Sequence, residues 1–154
     1  MAEIPTIVKR RLQAQVIKPL FEEMAARFGE KEARAVLDSA VRKAAIAEGK
    51  EFAAKSGGKT SMADFIALYE HWKADGALEI EVLKADDKTF DFDVKRCRYA
   101  EMYREMGLGE IGALMSRNRD GTFCTGYDPK ITLDRAKTIM AGADRCTFRY
   151  KYEG

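Results

Sequence analysis

Three cysteines and one short polar run provide most of the reactive groups in this sequence. Cys97, Cys124 and Cys146 are widely separated, and the run Arg117-Asn118-Arg119-Asp120 lies between the first two. A cysteine becomes nucleophilic where a cationic neighbour lowers the pKa of its thiol, and arginine binds carboxylates through paired hydrogen bonds. A carboxylate such as that of Asp120 can transfer protons. These residue types suit a site for a small polar molecule, provided that the fold brings them together.

Simpler roles for the same residues also have to be considered. Cys97 and Cys146 could be small buried hydrophobic residues, and Cys124 falls in a predicted loop with no evident role. Asp120 precedes a glycine and could bond its local backbone in a turn. His71 is the only histidine, so a histidine-based relay is excluded. A zinc site built from it, Asp120 and the first and last cysteines lacks closely spaced ligand pairs, so we expect neither a metal nor a cofactor.

The composition is that of an ordinary globular protein. The chain has 154 residues, 34% charged and 46% hydrophobic, which predicts a single domain over residues 1–154. Basic and acidic residues number 27 and 25 and are interleaved, which does not favour nucleic acid as a partner. No segment approaches the roughly 20 apolar residues of a membrane span. With an odd number of dispersed cysteines, these features predict a cytoplasmic protein that does not bind membranes.

The first 76 residues have the periodicity of helices. Apolar residues recur every fourth position over residues 4–28, and we take them as one buried helix face: Val8, Leu12, Val16, Leu20, Met24 and Phe28. Pro19 predicts a kink or a division into two helices there. A second helix is predicted over residues 31–55. A third begins near Ser61, where Asp64 completes a capping-box-like start.

From residue 77 onwards, strand periodicity alternates with helical periodicity. Apolar and polar residues alternate over residues 78–82 and 90–94, which predicts an antiparallel hairpin. Helical spacing follows Cys97, a loop is predicted over residues 121–129, and strands are predicted over residues 131–140 and 145–152. The resulting α+β fold packs the N-terminal helices on a four-stranded antiparallel sheet, made of two hairpins with a helical excursion between strands two and three.

This arrangement would place candidate residues near one another. The excursion begins at Cys97 and includes Asp120, so both should lie near the sheet. Cys146 has the same strand parity as Phe148 and Tyr150, which points its thiol toward the apolar side. The predicted topology is therefore compatible with a pocket between the sheet and the excursion.

The stretch from Cys97 to Tyr150 also contains an ordered series of short motifs. They are Cys97-x-Tyr99-Ala100-Glu101, Leu108-Gly109, Asn118-Arg119-Asp120, Gly126-x-x-Pro129, Arg135-x-x-Thr138 and Gly142-x-x-x-Cys146-x-Phe148-Arg149. In this series the chain resembles the L-2-amino-thiazoline-4-carboxylic acid hydrolase family. The agreement covers roughly a third of the chain.

The resemblance implies a hydrolase that opens 2-amino-thiazoline-4-carboxylate to N-carbamoyl-cysteine, without a redox cofactor. It implies Cys97, Asp120 and Cys146 as catalytic residues. The substrate-binding residues would be Tyr99, Glu101, Arg117, Asn118, Arg119 and Arg135. Of these, Glu101 and Arg135 could instead form a salt bridge with each other.

One position departs from the family pattern and supports a different hypothesis. Family members often carry a cysteine immediately before Asn-Arg-Asp, where this chain has Arg117, and a guanidinium is neither nucleophilic nor deprotonated near neutral pH. The alternative is a non-catalytic domain that binds or senses a small molecule. The ending from Gly142 to Phe148 also resembles 4-vinyl-reductase-type ligand-binding domains. A scaffolding role, with the N-terminal helices pairing in a homo-oligomer, is a third hypothesis.

Overall fold

The computed structural model describes residues 4–154, apart from the side chain of Arg117. Helices and strands follow one another in the predicted order. The elements are α1 (Thr6–Phe28), α2 (Glu30–Lys55), α3 (Met62–Lys73), β1 (Leu78–Ala85), β2 (Thr89–Cys97), α4 (Arg98–Glu105), α5 (Gly112–Met115), α6 (Arg117–Tyr127), β3 (Ile131–Asp134) and β4 (Cys146–Tyr152). Short 3₁₀ helices cover Ala74–Gly76 and Ile139–Ala141. Among the described helices, none combines the length and the apolar character that crossing a membrane requires.

The predicted α+β fold is confirmed. The sheet is antiparallel with strand order β1-β2-β4-β3, and α4 to α6 form the excursion between β2 and β3. Cross-strand pairing places Val94 opposite Cys146 and Phe92 opposite Phe148. The apolar face formed by these pairs packs against α3 and α6 in one aromatic cluster. A second apolar cluster joins α1, α2, α4 and α5.

The predicted buried face of α1 is wrong. Ile7, Arg10 and Ala14 are the buried residues of this helix, whereas Val16 is 68% exposed. An α-helix has 3.6 residues per turn, so a strict four-residue repeat drifts by about 40° per step, and over the five steps from Val8 to Phe28 it turns through about 200° and cannot stay on the buried side. Packing instead uses the mixed spacing of three and four residues that keeps the buried side chains aligned.

Pro19 was predicted to cause either a kink or a division of α1, and of these the division is wrong, because α1 is one continuous helix. A proline in a helix removes the hydrogen bond to the carbonyl four residues earlier. Pro19 and Gln15, which carries that carbonyl, are both exposed. Water can therefore satisfy the freed carbonyl, and the helix continues.

Residues 121–127, predicted as part of a loop, belong to helix α6. Their glycines indicated a turn, but two glycines serve a close helix contact instead. A Cβ on Gly126 would lie 2.0 Å from the carbonyl oxygen of Ile46, and a Cβ on Gly49 would lie 2.2 Å from that of Phe123. The absence of side chains at these two positions lets α2 and α6 pack backbone to backbone. As a result, Cys124 is buried in a helix rather than placed in a loop.

The third strand is shorter than predicted. It ends at Asp134, and the chain then runs irregularly through Arg135 to the 3₁₀ helix at Ile139–Ala141. The side chain of Thr138 caps this turn by accepting a hydrogen bond from the N–H of Ala141 at 3.2 Å. This segment crosses beside the start of β4 and supplies one wall of the site.

We expect Gly126→Ala to lower the free energy of unfolding by about 1–3 kcal/mol or more, because the added methyl group overpacks a backbone contact. Gly121→Ala, in the same helix, is the matched control, since a Cβ there meets nothing within 4 Å. That control should be neutral or stabilise by roughly 0.5–1 kcal/mol. Urea unfolding of the two variants measures both values. Equal midpoints would contradict the close-packing role of Gly126.

Candidate functional site

A cavity of about 80 Å³ lies between the apolar face of the sheet and the helices α1, α3, α4 and α6. A water molecule needs roughly 10–15 Å³ of such space, so the cavity accommodates several waters or a small organic molecule. Its apolar lining includes Trp72, Val94, Met140 and Phe148. Its polar lining includes Arg10, Cys97, Tyr99, Arg119, Asp120, Arg135, Thr138 and Cys146.

The three residues predicted to be catalytic all line this cavity, and each comes from a different element. Cys97 is the last residue of β2 and Cys146 is the first residue of β4. These strands are adjacent and antiparallel, so the last residues of β2 lie beside the first residues of β4 at one end of the sheet. Asp120 lies in the first turn of α6, which crosses above this end.

Asp120 forms an ion pair with Arg135 inside the protein. The Arg135 side chain is only 8% exposed, and its guanidinium lies over the Phe148 ring at 4.9 Å from the centroid. The Asp120 side chain keeps 31% of its surface accessible where it lines the cavity. Burial raises the pKa of Asp120, and the opposing effect of Arg135 does not fully offset this rise. The pair therefore places a carboxylate of increased proton affinity next to a small cavity.

The two cavity thiols are protonated at neutral pH. Burial raises the pKa of Cys97 to about 11, with smaller contributions from the nearby Cys146 and Asp120. The N–H groups of Ala100 and Tyr99 at the start of α4 offset only part of this rise. Burial also raises the pKa of Cys146, although its sulfur accepts a hydrogen bond from an N–H group, that of Ile139, at 3.1 Å. Neither thiol has the depressed pKa of an activated nucleophile.

A second charged group at the cavity joins three helices. Arg10 of α1 donates to both carboxylate oxygens of Glu48 at 3.2 Å, and Arg119 donates to one of them at 2.9 Å. The side chains of Arg10 and Arg119 are 9% and 15% exposed. Burial and the charge of Arg10 lower the pKa of Arg119, while Glu48 opposes this. Two guanidinium groups thus share one carboxylate, which leaves an excess positive charge among these three groups beside the cavity.

The other predicted substrate-binding residues occupy varied positions. Tyr99 lines the cavity, but its hydroxyl donates to the Trp72 carbonyl at 2.9 Å. Glu101 pairs with Arg96 at 2.9 Å on the surface, so the predicted salt bridge between Glu101 and Arg135 is wrong. The structure does not bring Glu101 to the cavity.

The three residues of the Asn-Arg-Asp element have different positions: one forms a contact between helices, and the other two line the cavity. Asn118 donates to Asp38 of α2 at 2.5 Å, which ties α6 to α2. Arg119 and Asp120 line the cavity. The prediction for Arg117 concerns a side chain outside the described residues.

His71 and the thiols do not assemble into a metal centre. The His71 ring packs edge-on against Phe52, with 5.5 Å between ring centroids. Within residues 4–154, as far as they are described, no group of three or more His, Cys, Asp and Glu residues is arranged to hold a metal ion.

Arg10 and Glu48 are the site residues that the sequence interpretation missed. Arg10 belongs to the basic run Lys9-Arg10-Arg11, and the face of α1 that was predicted to be buried does not include it. Its spacing from Ile7 and Ala14, three and four residues away, is the signal that identifies it. A charged residue in register with a buried stripe indicates a paired internal charge.

Cys97 should react slowly with iodoacetamide at neutral pH, because a thiol of pKa about 11 is almost entirely protonated. The rate at Cys97, followed by mass spectrometry of its peptide, should rise about tenfold per pH unit through the mildly alkaline range. The unfolded protein is the control, and its reaction rate should reach half of its maximum near the ordinary cysteine pKa of about 8.5. A plateau near neutral pH in the folded protein would show that Cys97 is an activated nucleophile instead.

Comparison with protein families identifies relatives of the whole chain. Residues 9–150 match the model of the L-2-amino-thiazoline-4-carboxylic acid hydrolase family. This confirms the resemblance carried by the C-terminal motifs and extends it over the N-terminal helices. A search of curated proteins gives no match.

Two solved structures share the fold at low sequence identity. The phenol-responsive sensory domain of the transcription activator PoxR, solved with phenol, is 13% identical with a TM-score of 0.51, over 99% of this chain and 76% of that chain. Trafficking protein particle complex subunit 3 from Naegleria fowleri, covalently bound to palmitic acid, is 12% identical with a TM-score of 0.53, over 96% of each chain. At these identities the likeness concerns the fold alone.

Proposed function

The chain belongs to the L-2-amino-thiazoline-4-carboxylic acid hydrolase family, and from this premise we propose that it hydrolyses a small cyclic amidine, 2-amino-thiazoline-4-carboxylate or a close relative. The observation that carries the proposal is the ion pair between Asp120 and the buried Arg135 in a cavity that is also lined by Arg10 and Arg119, which share a single carboxylate. A carboxylate and additional cationic groups around one cavity suit a substrate that contains both an amidine and a carboxylate.

Charge complementarity gives the substrate one orientation. Arg10 and Arg119 share the single carboxylate of Glu48, so a substrate carboxylate would complete the charge balance there. Asp120 would face the amidine, whose N–H groups donate to a carboxylate. The apolar wall around Phe148 would contact the ring carbon and sulfur atoms.

Asp120 would transfer protons while water opens the ring. As the water oxygen bonds to the amidine carbon C2, Asp120 accepts a proton from the water and passes it to the ring nitrogen. The C2–S bond of the tetrahedral intermediate then breaks, and the remaining hydroxyl proton moves through Asp120 to the departing sulfur. The product is N-carbamoyl-cysteine with a free thiol. An increased pKa brings the carboxyl group closer to the operating pH, which favours both transfers.

In this mechanism the thiols of Cys97 and Cys146 shape the cavity, and water is the nucleophile. Attack by Cys97 is the competing route, because its position before the first turn of α4 favours a thiolate. However, the raised pKa of this thiol leaves little thiolate at neutral pH. Serine substitutions at the two cysteines separate the routes.

We expect Asp120→Asn to reduce kcat by about 10²–10⁴-fold, the usual contribution of a positioned acid–base group. Thiol release from the thiazoline, followed with a chromogenic disulfide, is the measurement. In the unsubstituted protein, kcat/KM should fall as the pH decreases through the Asp120 pKa, because protonation removes the base. Since burial raises this pKa, the fall should lie above the ordinary aspartate value of 3.8. The residual activity of the Asp120→Asn variant should not show this fall in kcat/KM.

The matched control is Cys97→Ser, which should retain most of the activity. Loss of activity on this substitution, with an accumulating covalent adduct at Cys97 in the unsubstituted protein, would replace the water mechanism by the thiol mechanism. Absence of thiol release by the unsubstituted protein across neutral and alkaline pH would overturn the hydrolase proposal.

We expect Arg119→Lys to raise KM about tenfold or more with a smaller change in kcat. Lysine keeps the charge but loses the paired donors, and a hydrogen bond between charged groups contributes roughly 1.5–3 kcal/mol. Steady-state kinetics with the thiazoline measures the effect. The control is Arg96→Lys, whose guanidinium pairs with Glu101 on the surface. Equal KM values in both variants would exclude Arg119 from carboxylate binding.

The second candidate function is a domain that binds or senses a small molecule without changing it. The protonated cavity thiols favour it, and the PoxR sensory domain, solved with phenol, has a similar fold. A thiazoline that raises the melting temperature and is recovered unaltered would support this function. If Arg117 alone prevents catalysis, Arg117→Cys should then restore thiol release.

A further inference from the structure

Helix α1 carries an apolar stripe that faces away from the protein. Val8, Leu12, Val16 and Leu20 follow one another at four-residue intervals and are 39%, 54%, 68% and 54% exposed. The opposite side of the helix, with Ile7, Arg10 and Ala14, packs into the protein. Most of the exposed large hydrophobic residues of the described chain lie on α1 or immediately before it. Such a patch marks an interaction surface rather than scattered surface residues.

We propose that this stripe is the interface of a homodimer in which α1 packs antiparallel against α1 of a second copy. The four residues form a single ridge of i, i+4 side chains. Ridges of this kind interdigitate when two helices cross at about −50°, the commonest packing of helices in globular proteins. A stripe of four such residues is long enough for that crossing, because contact at this angle extends over only a few turns.

The pattern of the stripe is self-complementary, as a two-fold interface requires. In an antiparallel pair centred on Val16, the two Val16 side chains meet at the axis and each Leu12 faces the partner's Leu20. A two-fold axis makes the same patch serve both subunits, so every apolar residue is matched by an apolar residue.

The charges beside the stripe select the antiparallel arrangement. Lys9 flanks its N-terminal end and Glu23, which also forms an exposed ion pair with Arg27 of the same helix at 2.7 Å, flanks its C-terminal end. Antiparallel pairing about Val16 brings each Lys9 to the other subunit's Glu23. Parallel pairing would instead align Lys9 with Lys9 and Glu23 with Glu23, and like charges oppose association. This complementarity favours a second copy of the chain over an unrelated partner.

The groove beside the stripe would extend the interface. Leu20 and Val36 of α2, which is 44% exposed, both line a groove whose other lining residues are apolar side chains of both helices and the polar side chains of Gln13, Glu48 and Arg119. A partner helix crossing at Val16 would approach this groove. The surface available for burial therefore includes parts of α1 and α2.

Analytical ultracentrifugation of the full chain over a wide concentration range tests the proposal. We expect a dimer with twice the chain mass of 17.3 kDa. Val16→Glu should raise its dissociation constant about tenfold or more, because the substitution places two carboxylates at the two-fold axis. Val82→Glu is the matched control, since Val82 is 50% exposed on β1, and it should leave the dissociation constant unchanged.

A charge exchange tests the orientation independently of the apolar contact. Lys9→Glu should weaken the dimer, and the double variant Lys9→Glu with Glu23→Lys should restore it. A monomeric wild-type protein, or a dimer that Val16→Glu leaves intact, overturns the proposal. Binding of a wild-type monomer to lipid vesicles, abolished by Val16→Glu, would overturn it in favour of a membrane surface. Helical circular dichroism of each variant verifies that α1 has folded.

Discussion

The close contact between α2 and α6 is the constraint on which the site depends. Gly49 and Gly126 let the two backbones approach so closely that a methyl group on either glycine would overlap a carbonyl oxygen. This approach fixes the first turn of α6, and with it Arg119 and Asp120, relative to Glu48 on α2. A looser contact would move Asp120 away from Arg135, which is held by the ring of Phe148. Helix packing thereby sets the positions of the charged groups.

The charged groups in turn join elements that have little else in common. Arg10 comes from α1, Glu48 from α2, Arg119 and Asp120 from α6, and Arg135 from the segment after β3. Burying so many charges costs free energy of desolvation, and well-packed apolar residues would often be at least as stable. The proposed function gives these charges a use beside the cavity that packing does not require. Ligand binding and proton transfer are uses that require charges in place before the ligand arrives.

The periodicity of the sequence placed β2, β4 and α2 correctly, whereas it misassigned the buried face of α1, the residues of α6 and the length of β3. Strict alternation in Phe90, Phe92 and Val94 has only one structural interpretation, and the side chains of Cys146 and Phe148 accordingly face the same core. The helical repeat of α1 had two interpretations, because apolar residues occupy both its inner and its outer sides. In α6, Gly126 indicated a turn, since a sequence does not reveal that a glycine is needed to accommodate a neighbouring helix.

The difference between strand patterns and helix patterns also explains which residues of the site could be predicted. Cys97, Asp120 and Cys146 line one cavity, as expected from strands whose ends meet and an excursion that returns to them. Arg10 and Glu48 could not be found by a motif, because Arg10 lines the cavity, and Glu48 pairs with it and with Arg119, only through the packing of α1 and α2 on α6. The inner side of α1 brings Arg10 to the cavity while its outer side presents the stripe around Val16. A partner packed on that stripe would hold the helix, and therefore Arg10, more firmly against the site.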